Sequence, residues 1–389
     1  MDNVVYKTNS STREEIFSHL TVCSSDFIPA LEEYVDLNVY SLKIFENAYR
    51  AEAYKGKELI GLAAFYHGGS SAEHFISNVS VLPGYRGNKV ASNLLKLCLS
   101  KCKTGKVKLE VHKSNVKAIR FYKKNHFRKI GENNGRLFME MNIGRNYDQE
   151  IKDVEGRKYA YNFDLDVMHD YMMESFKKFF KEGNCLEIGS FKGDFTKKLL
   201  FCFDHVTCVE ASDEAGSFAK THLGDCVDIF KSDIETVDLR GKFDNIVMTH
   251  VLEHVDDPVF VLGRVREEWL SEKGRLFLVC PNANALSRQI AVKMGIISHS
   301  EAVTKDEAKH GHKRTYTMDT LESDVMASGL EVKDRSGIFF KALANFQWDK
   351  VLKEGIVSRE YLDGCYKLGQ KYPDLCASIF LLCEKKVTS

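Results

Sequence analysis

Cys185-Leu186-Glu187-Ile188-Gly189-Ser190-Phe191-Lys192-Gly193-Asp194-Phe195 reads as a strand, a tight turn and the start of a helix. The Gly-x-x-x-Gly spacing alone decides little. Seventeen residues after Gly193, Glu210 ends the next apolar strand, in Val-Thr-Cys-Val-Glu-Ala-Ser. An acid there can accept both hydroxyls of a ribose, a geometry dinucleotide folds also use. Gly-x-Gly-x-x-Gly is absent, and Glu187 would repel a pyrophosphate, which argues against a nicotinamide dinucleotide. A carboxylate at that place suits a cationic, phosphate-free nucleoside such as S-adenosylmethionine.

Around this stretch, strands and helices alternate, the mark of a largely parallel sheet. The spacing predicts an amphipathic helix over 167–180, strands at 185–188, 206–210, 243–248 and 275–280, a helix over 258–270 and a last strand at 376–383. Ligands of open α/β sheets bind at the carboxyl ends of the strands. The polar string after Cys280 therefore places Asn282, Asn284, Ser287 and Arg288 as acceptor-facing residues. Phe339, Phe340, Asn345, Gln347 and Trp348 form a second aromatic and polar cluster, for which core packing explains the Phe pair equally well.

Residues 158–389 resemble a class I S-adenosylmethionine-dependent methyltransferase, which implies a Rossmann-like seven-stranded fold. The resemblance implies a cofactor set of Glu187, Gly189, Ser190, Gly193, Glu210, Asp233, Ile234 and His250, with Asp233 towards the adenine amine. Thr249-His-Val-Leu-Glu-His-Val-Asp-Asp-Pro258 is similar to the small-molecule branch of that superfamily. The Asn-Pro-Pro-Tyr signature of nucleic-acid amino methylases is absent. Three histidines then stay open to three readings. His254 and His312 deprotonate an acceptor hydroxyl; or Glu253, His254 and His312 hold a divalent cation that lowers the hydroxyl's pKa; or the histidines only hydrogen-bond the fold together. His250 stands where metal-dependent O-methyltransferases carry a second Glu.

The first half is punctuated differently. Strands are expected at 58–66 and 75–81 around a Gly-Gly-Ser-Ser turn, a helix over 88–103, a strand at 107–111, a helix over 115–125 and a strand at 137–141. Arg86-Gly87-Asn88-Lys89-Val90-Ala91-Ser92 lies between strand and helix, where backbone N–H groups and the helix dipole favour an anion. A pyrophosphate is the natural guest.

With Val79-Ser80-Val81-Leu82-Pro83-Gly84-Tyr85 ahead of it and Asn115, Ala118, Phe121, Tyr122 and Phe127 after it, this loop resembles the acyl-CoA motif of the GNAT acetyltransferase superfamily over residues 40–143. The resemblance implies a GNAT α+β fold with a mixed central sheet and acetyl-CoA as cofactor. The backbone of Val81 would meet the pantetheine arm and residues 86–92 the pyrophosphate. Asn115 would touch CoA, and Tyr122 would protonate the departing thiolate. Lys89 replaces the family's central glycine, and His126 the usual Gly before Phe127. Glu73 and His74 are candidate bases for the accepting amine.

The 389 residues carry 55 basic and 55 acidic side chains, so the formal net charge is zero. That balance argues against a dedicated nucleic-acid binder, which needs a basic excess. No apolar run is long enough for a transmembrane helix, and the polar first 20 residues exclude a secretory signal. Eleven cysteines with no pair of the two-residue-gap type read as reduced thiols of a cytoplasmic protein. The expected organisation is an acetyltransferase domain over 1–143, a charged linker over 144–157 and a methyltransferase domain over 158–389. The expected activity is bifunctional: acetyl transfer to an amine and methyl transfer to a small-molecule acceptor. That acceptor would be an amino sugar of surface-polysaccharide biosynthesis, nucleotide-linked or lipid-linked. The alternative is a natural-product methyltransferase whose first half is a regulatory or structural acyl-CoA-binding module.

Overall fold

The computed structural model describes residues 4–67, 73–102, 105–125, 127–155 and 157–386. It divides into two compact units, Met1–Arg145 and Asn146–Ser389. The expected Gly-Gly-Ser-Ser turn, the end of the helix expected to reach 103, and His126 lie outside the described residues. Among the described residues no helix is long and apolar enough to cross a membrane.

The first unit is built on strands β1 (Val5–Thr8), β2 (Tyr49–Lys55), β3 (Glu58–His67), β4 (Glu73–Val81), β5 (Gly105–His112), β6 (Arg128–Asn133) and β7 (Arg136–Ile143). They form one sheet in the order β1-β2-β3-β4-β5-β7-β6. Only β4 and β5 run parallel, and their register covers just Glu73–Ile76 against Lys106–Leu109. From Asn78 to Val81, β4 keeps its β3 partner but has none in β5. The sheet therefore splays at its middle. Helix Val90–Leu99 lays Val90, Leu94, Leu95 and Cys98 on one face. It lies close because β3 carries Gly61 there, where a Cβ would stand 2.9 Å from Leu94 Cδ1. Helices Arg13–Cys23 and Leu37–Asn47 cover the other face through Ile16, Leu20 and Ile44.

Three strands, β1, β2 and β6, are absent from the sequence expectation. β2 hides because Arg50 and Glu52 interrupt its apolar pattern. Both are buried, at 5% and 0% exposure, and they pair at 3.1 Å. Glu52 also accepts from the backbone of Ser10 and Ser11, at 2.7 and 3.1 Å, which ties down the chain after β1.

The second unit's strands are β8 (Cys185–Ile188), β9 (Val206–Glu210), β10 (Val227–Lys231), β11 (Phe243–Thr249), β12 (Leu270–Pro281), β13 (Leu330–Ile338) and β14 (Ser378–Lys385). Their order is β10-β9-β8-β11-β12-β14-β13. β8 to β12 are parallel, and β14 runs antiparallel to both its neighbours. One face buries Leu186, Ile246, Trp269 and Leu278, and the other Phe163, Phe176, Phe277 and Phe380. The sequence expectation lacks β10 and β13, the two edge strands. Edges pair on one side only and tolerate the charges that blur their periodicity.

Of the segment expected as a linker over 144–157, residues 146 onward group with the second unit. A short helix, Tyr147–Glu150, presents Asp148, whose Oδ1 accepts from Ser212 Oγ at 2.6 Å and Glu214 N at 3.0 Å. Arg157 sits 3.9 Å from Glu307. The charges that read as a solvated run are used as a helix cap and an ion pair.

Replacing Glu52 by Ala strands the Arg50 guanidinium and two backbone donors, and should lower the first unit's stability by about 3 kcal/mol. Urea unfolding of the full chain, followed at the first unit's transition, measures it.

Candidate active sites

In the first unit, Gly87 (φ +81°) and Lys89 (φ +60°) turn the chain into the helix Val90–Leu99. The first helical bond runs from Asn93 N to Lys89 O. The N–H groups of Val90, Ala91 and Ser92 therefore have no intrahelical acceptor and converge on one spot. Lys89 adopts the left-handed conformation that the family's glycine would take, and its side chain is exposed, so the backbone path of the cradle survives. Arg86 donates from Nε to Val81 O at 3.0 Å and pairs with Asp26. It therefore covers the carbonyl expected to meet pantetheine. Asn115 caps the helix Val116–Lys124, accepting from Ala118 N at 3.1 Å, and donates to Asp26 O at 3.2 Å.

Tyr122 lies on that helix between the rings of Phe121 and Phe127, at 5.2 and 5.7 Å. Burial raises its pKa, so the phenol keeps its proton at neutral pH. The structure does not bring Glu73 and His74 to this place. They open β4, eight residues and about 26 Å of extended chain from Val81. Glu73 pairs with Lys108 at 2.6 Å, and His74 packs its ring on Phe65. A group that the sequence reading missed is Tyr40, which donates to Ser77 O at 3.0 Å, one residue beyond the last β4–β5 pair. Its hydroxyl lies within electrostatic reach of Tyr34, Tyr66 and Tyr122.

In the second unit the loop after β8 needs its glycines. A Cβ on Gly189 would lie 2.3 Å from Val251 Cγ2, and one on Gly193 2.7 Å from Leu223 Cδ1; both have φ above +80°. Glu210 accepts from Phe191 N at 2.7 Å and Ser212 N at 2.8 Å, so it fixes this loop and the next helix start. Glu187 is buried and takes a hydrogen bond from Thr196 on one oxygen only. Its other oxygen, and Ser190 Oγ nearby in the chain, have no hydrogen-bond partner. Burial pushes Glu187 up to about 8. The carbonyl of Asp233 receives Val237 N, and that of Ile234 receives Arg264 Nη1. Tyr159 packs against Phe191 and His310, at 5.0 and 5.5 Å. An unpartnered buried carboxylate oxygen beside a glycine loop, with a strand-end acid next to it, fits a cationic nucleoside.

After β11 the chain turns through His250 (φ +54°), whose Nε2 meets Ser378 Oγ at 3.0 Å. Burial lowers it to about 4. Further on, Glu253 is 1% exposed. Neither of its oxygens has a nitrogen or oxygen hydrogen-bond partner; burial pushes it up to about 8, against a weaker opposing pull from the Cys280 thiol. His254 Nε2 is 3.9 Å away, and the rings of His254 and His312 meet edge to face at 4.5 Å. One donor atom from each of the three lies within 4.8 Å of the others. Backbone bonds enforce the convergence: Lys313 N donates to Glu253 O, and Arg314 to the carbonyls of Val255 and Asp256. His312 is lowered to about 4, chiefly by burial.

Two expected acceptor residues have structural work instead. Asn282 donates to Asp374 O and Cys376 O and accepts from Asn284 N. Arg288 pairs with Glu307 at 2.8 Å and binds the carbonyls of Ser300 and Ala302. Asn284 O receives Gln289 Nε2. Trp348 stacks on Phe163 at 5.2 Å, inside the core. Lys341, which the sequence reading passed over, is 7% exposed, held by Asn345 and the face of Phe163, and lowered to about 8 by burial. A lysine inside Phe-Phe-Lys-Ala-Leu was the available signal.

Residues 14–127 match the acetyltransferase (GNAT) family, and residues 159–334 the methyltransferase domain family. The chain joins a GNAT acetyltransferase domain to a methyltransferase domain. Its cofactor classes are accordingly acetyl-CoA and S-adenosylmethionine. It is 27% identical over 170 residues to a ubiquinone biosynthesis O-methyltransferase of Sinorhizobium medicae, a match covering 42% of this chain and 66% of that protein. A protein of the same name from Rhodopseudomonas palustris is 30% identical over 128 residues, covering 32% and 47%. The chain thus spans just under two-thirds of the length of the first of these relatives and about half of the second. Among solved structures it is similar to an S-adenosylmethionine-dependent methyltransferase of Mesorhizobium loti (14% identity, TM-score 0.41, 57% of this chain and 100% of that one). It is also similar to Ard1 of Thermoplasma volcanium (21% identity, TM-score 0.30, 36% and 97%).

A left-handed non-glycine residue costs about 1–2 kcal/mol. Lys89→Gly should therefore stabilise the GNAT domain by about 1 kcal/mol, read by urea unfolding, and leave CoA binding intact by calorimetry. Lys89→Ala keeps the strain and also loses the charge, so it should bind CoA as Lys89→Gly does but without the gain in stability.

Proposed function

We propose that the methyltransferase domain moves a methyl group from S-adenosylmethionine to an acceptor hydroxyl, and that Glu253, His254 and His312 hold a divalent cation beside that hydroxyl. The observation that carries this reading is Glu253, a buried carboxylate with two unpartnered oxygens facing two imidazoles. A purely structural role for the histidines would have satisfied that carboxylate. An imidazole lowered to about 4 is a poor base at neutral pH, whereas a neutral imidazole is a good ligand. A bound divalent cation would lower the pKa of the acceptor hydroxyl. Glu210 orients the ribose, Gly189 and Gly193 let the backbone close on the cofactor, and in-line displacement follows from positioning. The O-methyltransferase names of the relatives point to the same acceptor atom.

The GNAT domain then serves an amine. The splay between β4 and β5 admits the pantetheine arm, the helix start at Val90 takes the pyrophosphate, and as the amine attacks the thioester and the C–S bond breaks, Tyr122 gives its proton to the CoA sulfur while the nitrogen's proton leaves to solvent. One chain with amine-directed and hydroxyl-directed transfer suits an acceptor class carrying both groups, such as an amino sugar. The preserved cradle at Lys89 supports an acyl-CoA-using domain over a structural relic.

Purified full-length protein should methylate hydroxyl acceptors from S-adenosylmethionine, lose that activity to a chelator and regain it with added divalent cation. Glu253→Gln should lose at least 100-fold with S-adenosylhomocysteine binding retained, since the change removes an ionised ligand and not the cofactor loop. Chelator-resistant methyl transfer would return the histidines to the base reading. Tyr122→Phe should slow acetyl transfer by about 10²–10⁴ while CoA affinity stays unchanged; equal rates would make the phenol a packing residue.

A further inference from the structure

We propose a second metal site, in the GNAT domain, formed by His67, His74 and Cys102 and suited to a zinc-class transition metal. His67 closes β3 and His74 lies directly opposite it on β4. Directly opposed residues share a face, with Cβ atoms about 4.5–5.5 Å apart. Both rings rest on Phe65, at centroid distances of 5.0 and 5.5 Å, and on each other at 5.2 Å. The helix Val90–Leu99 crosses the same face and ends in tight turns, Lys101 N to Cys98 O and Cys102 N to Leu99 O. Those turns deliver the buried Cys102 to the two imidazoles. One ligand atom from each residue lies within 4.8 Å of the other two. A tetrahedral ion with bonds of about 2.0–2.3 Å holds its ligand atoms about 3.5 Å apart, so the three need to draw in by about 1 Å.

The donor set selects the metal. Two imidazole nitrogens and one thiolate favour zinc or copper over magnesium or calcium. That separates this cluster from Glu253, His254 and His312, which offer no sulfur. His67 is exposed, leaving a fourth position for water, and the Cys102 proton leaves to solvent on binding. The site lies at the opposite end of β4 from Val81 and at the opposite end of the helix from the pyrophosphate cradle. Its role is to clip the β3–β4 end of the sheet to the end of the helix that carries the cradle.

Cobalt titration of the metal-free full-length protein tests this, because a Co²⁺–thiolate bond gives a near-ultraviolet charge-transfer band that oxygen and nitrogen ligands do not. Two equivalents, enough to fill this cluster and that of Glu253, His254 and His312, should develop that band together with the visible bands of tetrahedral Co²⁺, and added Zn²⁺ should displace it. Cys102→Ser should abolish the thiolate band. His67→Ala, at the exposed end, should weaken Co²⁺ affinity by at least tenfold with the unfolding transition of the metal-free protein retained. Glu253→Gln and the exposed-thiol variants Cys202→Ser and Cys226→Ser should leave the band in place. A protein that shows no thiolate band, or one whose band survives both Cys102→Ser and His67→Ala, overturns the site without touching the methyl-transfer reading.

Discussion

The first N–H groups of a helix have no partners within the helix, and a chain that ends a strand and begins a helix must aim them somewhere. Each unit meets this constraint with left-handed residues at the turn: Gly87 and Lys89 in one, Gly189 and Gly193 in the other. The flanking residues then decide what binds. In the GNAT domain no carboxylate lies within residues 86–92, and the N–H groups stay available to an anion. In the methyltransferase domain Glu210 holds the loop ahead of the helix cap Gly193 by taking Phe191 N, and Glu187, buried in the strand before the loop, keeps one oxygen unpartnered. The same turn thereby becomes a seat for a cation-bearing nucleoside.

How far the sequence could be read follows from the same logic. Cys185–Ile188 and Val206–Glu210 were legible because they are short, mainly apolar runs, and the glycines and acids around them fall where the backbone demands them. β2 was not, because its charges are neutralised by each other and by the chain near Ser10, which no local pattern shows. The segment 146–157 misled for a related reason: a charged run looks solvated until Asp148 is seen capping a helix more than sixty residues away. Asn282 and Arg288 were polar residues at the correct sheet edge. Their side chains, however, were already engaged by Asp374, Cys376 and Glu307.

The histidines show the converse. His254 was visible beside Glu253, but nothing local placed His312 with them. That meeting depends on Lys313 and Arg314 hydrogen-bonding the backbone of the turn after β11. Likewise His67 and His74 are separated by chain of ordinary loop composition, and only register and the helix end bring Cys102 to them. Ligand sets assembled across elements carry no spacing signature, whereas those on one turn do.

Glu187 and Glu253 each contribute to how the methyltransferase domain's stability responds to pH. Both are buried with at least one unpartnered oxygen, and both are raised to about 8 from an ordinary 4.5. The folded state therefore holds protons that the unfolded chain releases above about pH 4.5. Their contribution is complete below that pH and is lost as pH rises through about 8. At neutral pH the empty domain carries this cost, and a cationic ligand beside either carboxylate relieves it by favouring the ionised form. Such local instability marks a binding site, and under the proposed reading the two sites differ in what they await: a sulfonium at the glycine loop, and a divalent ion between Glu253, His254 and His312.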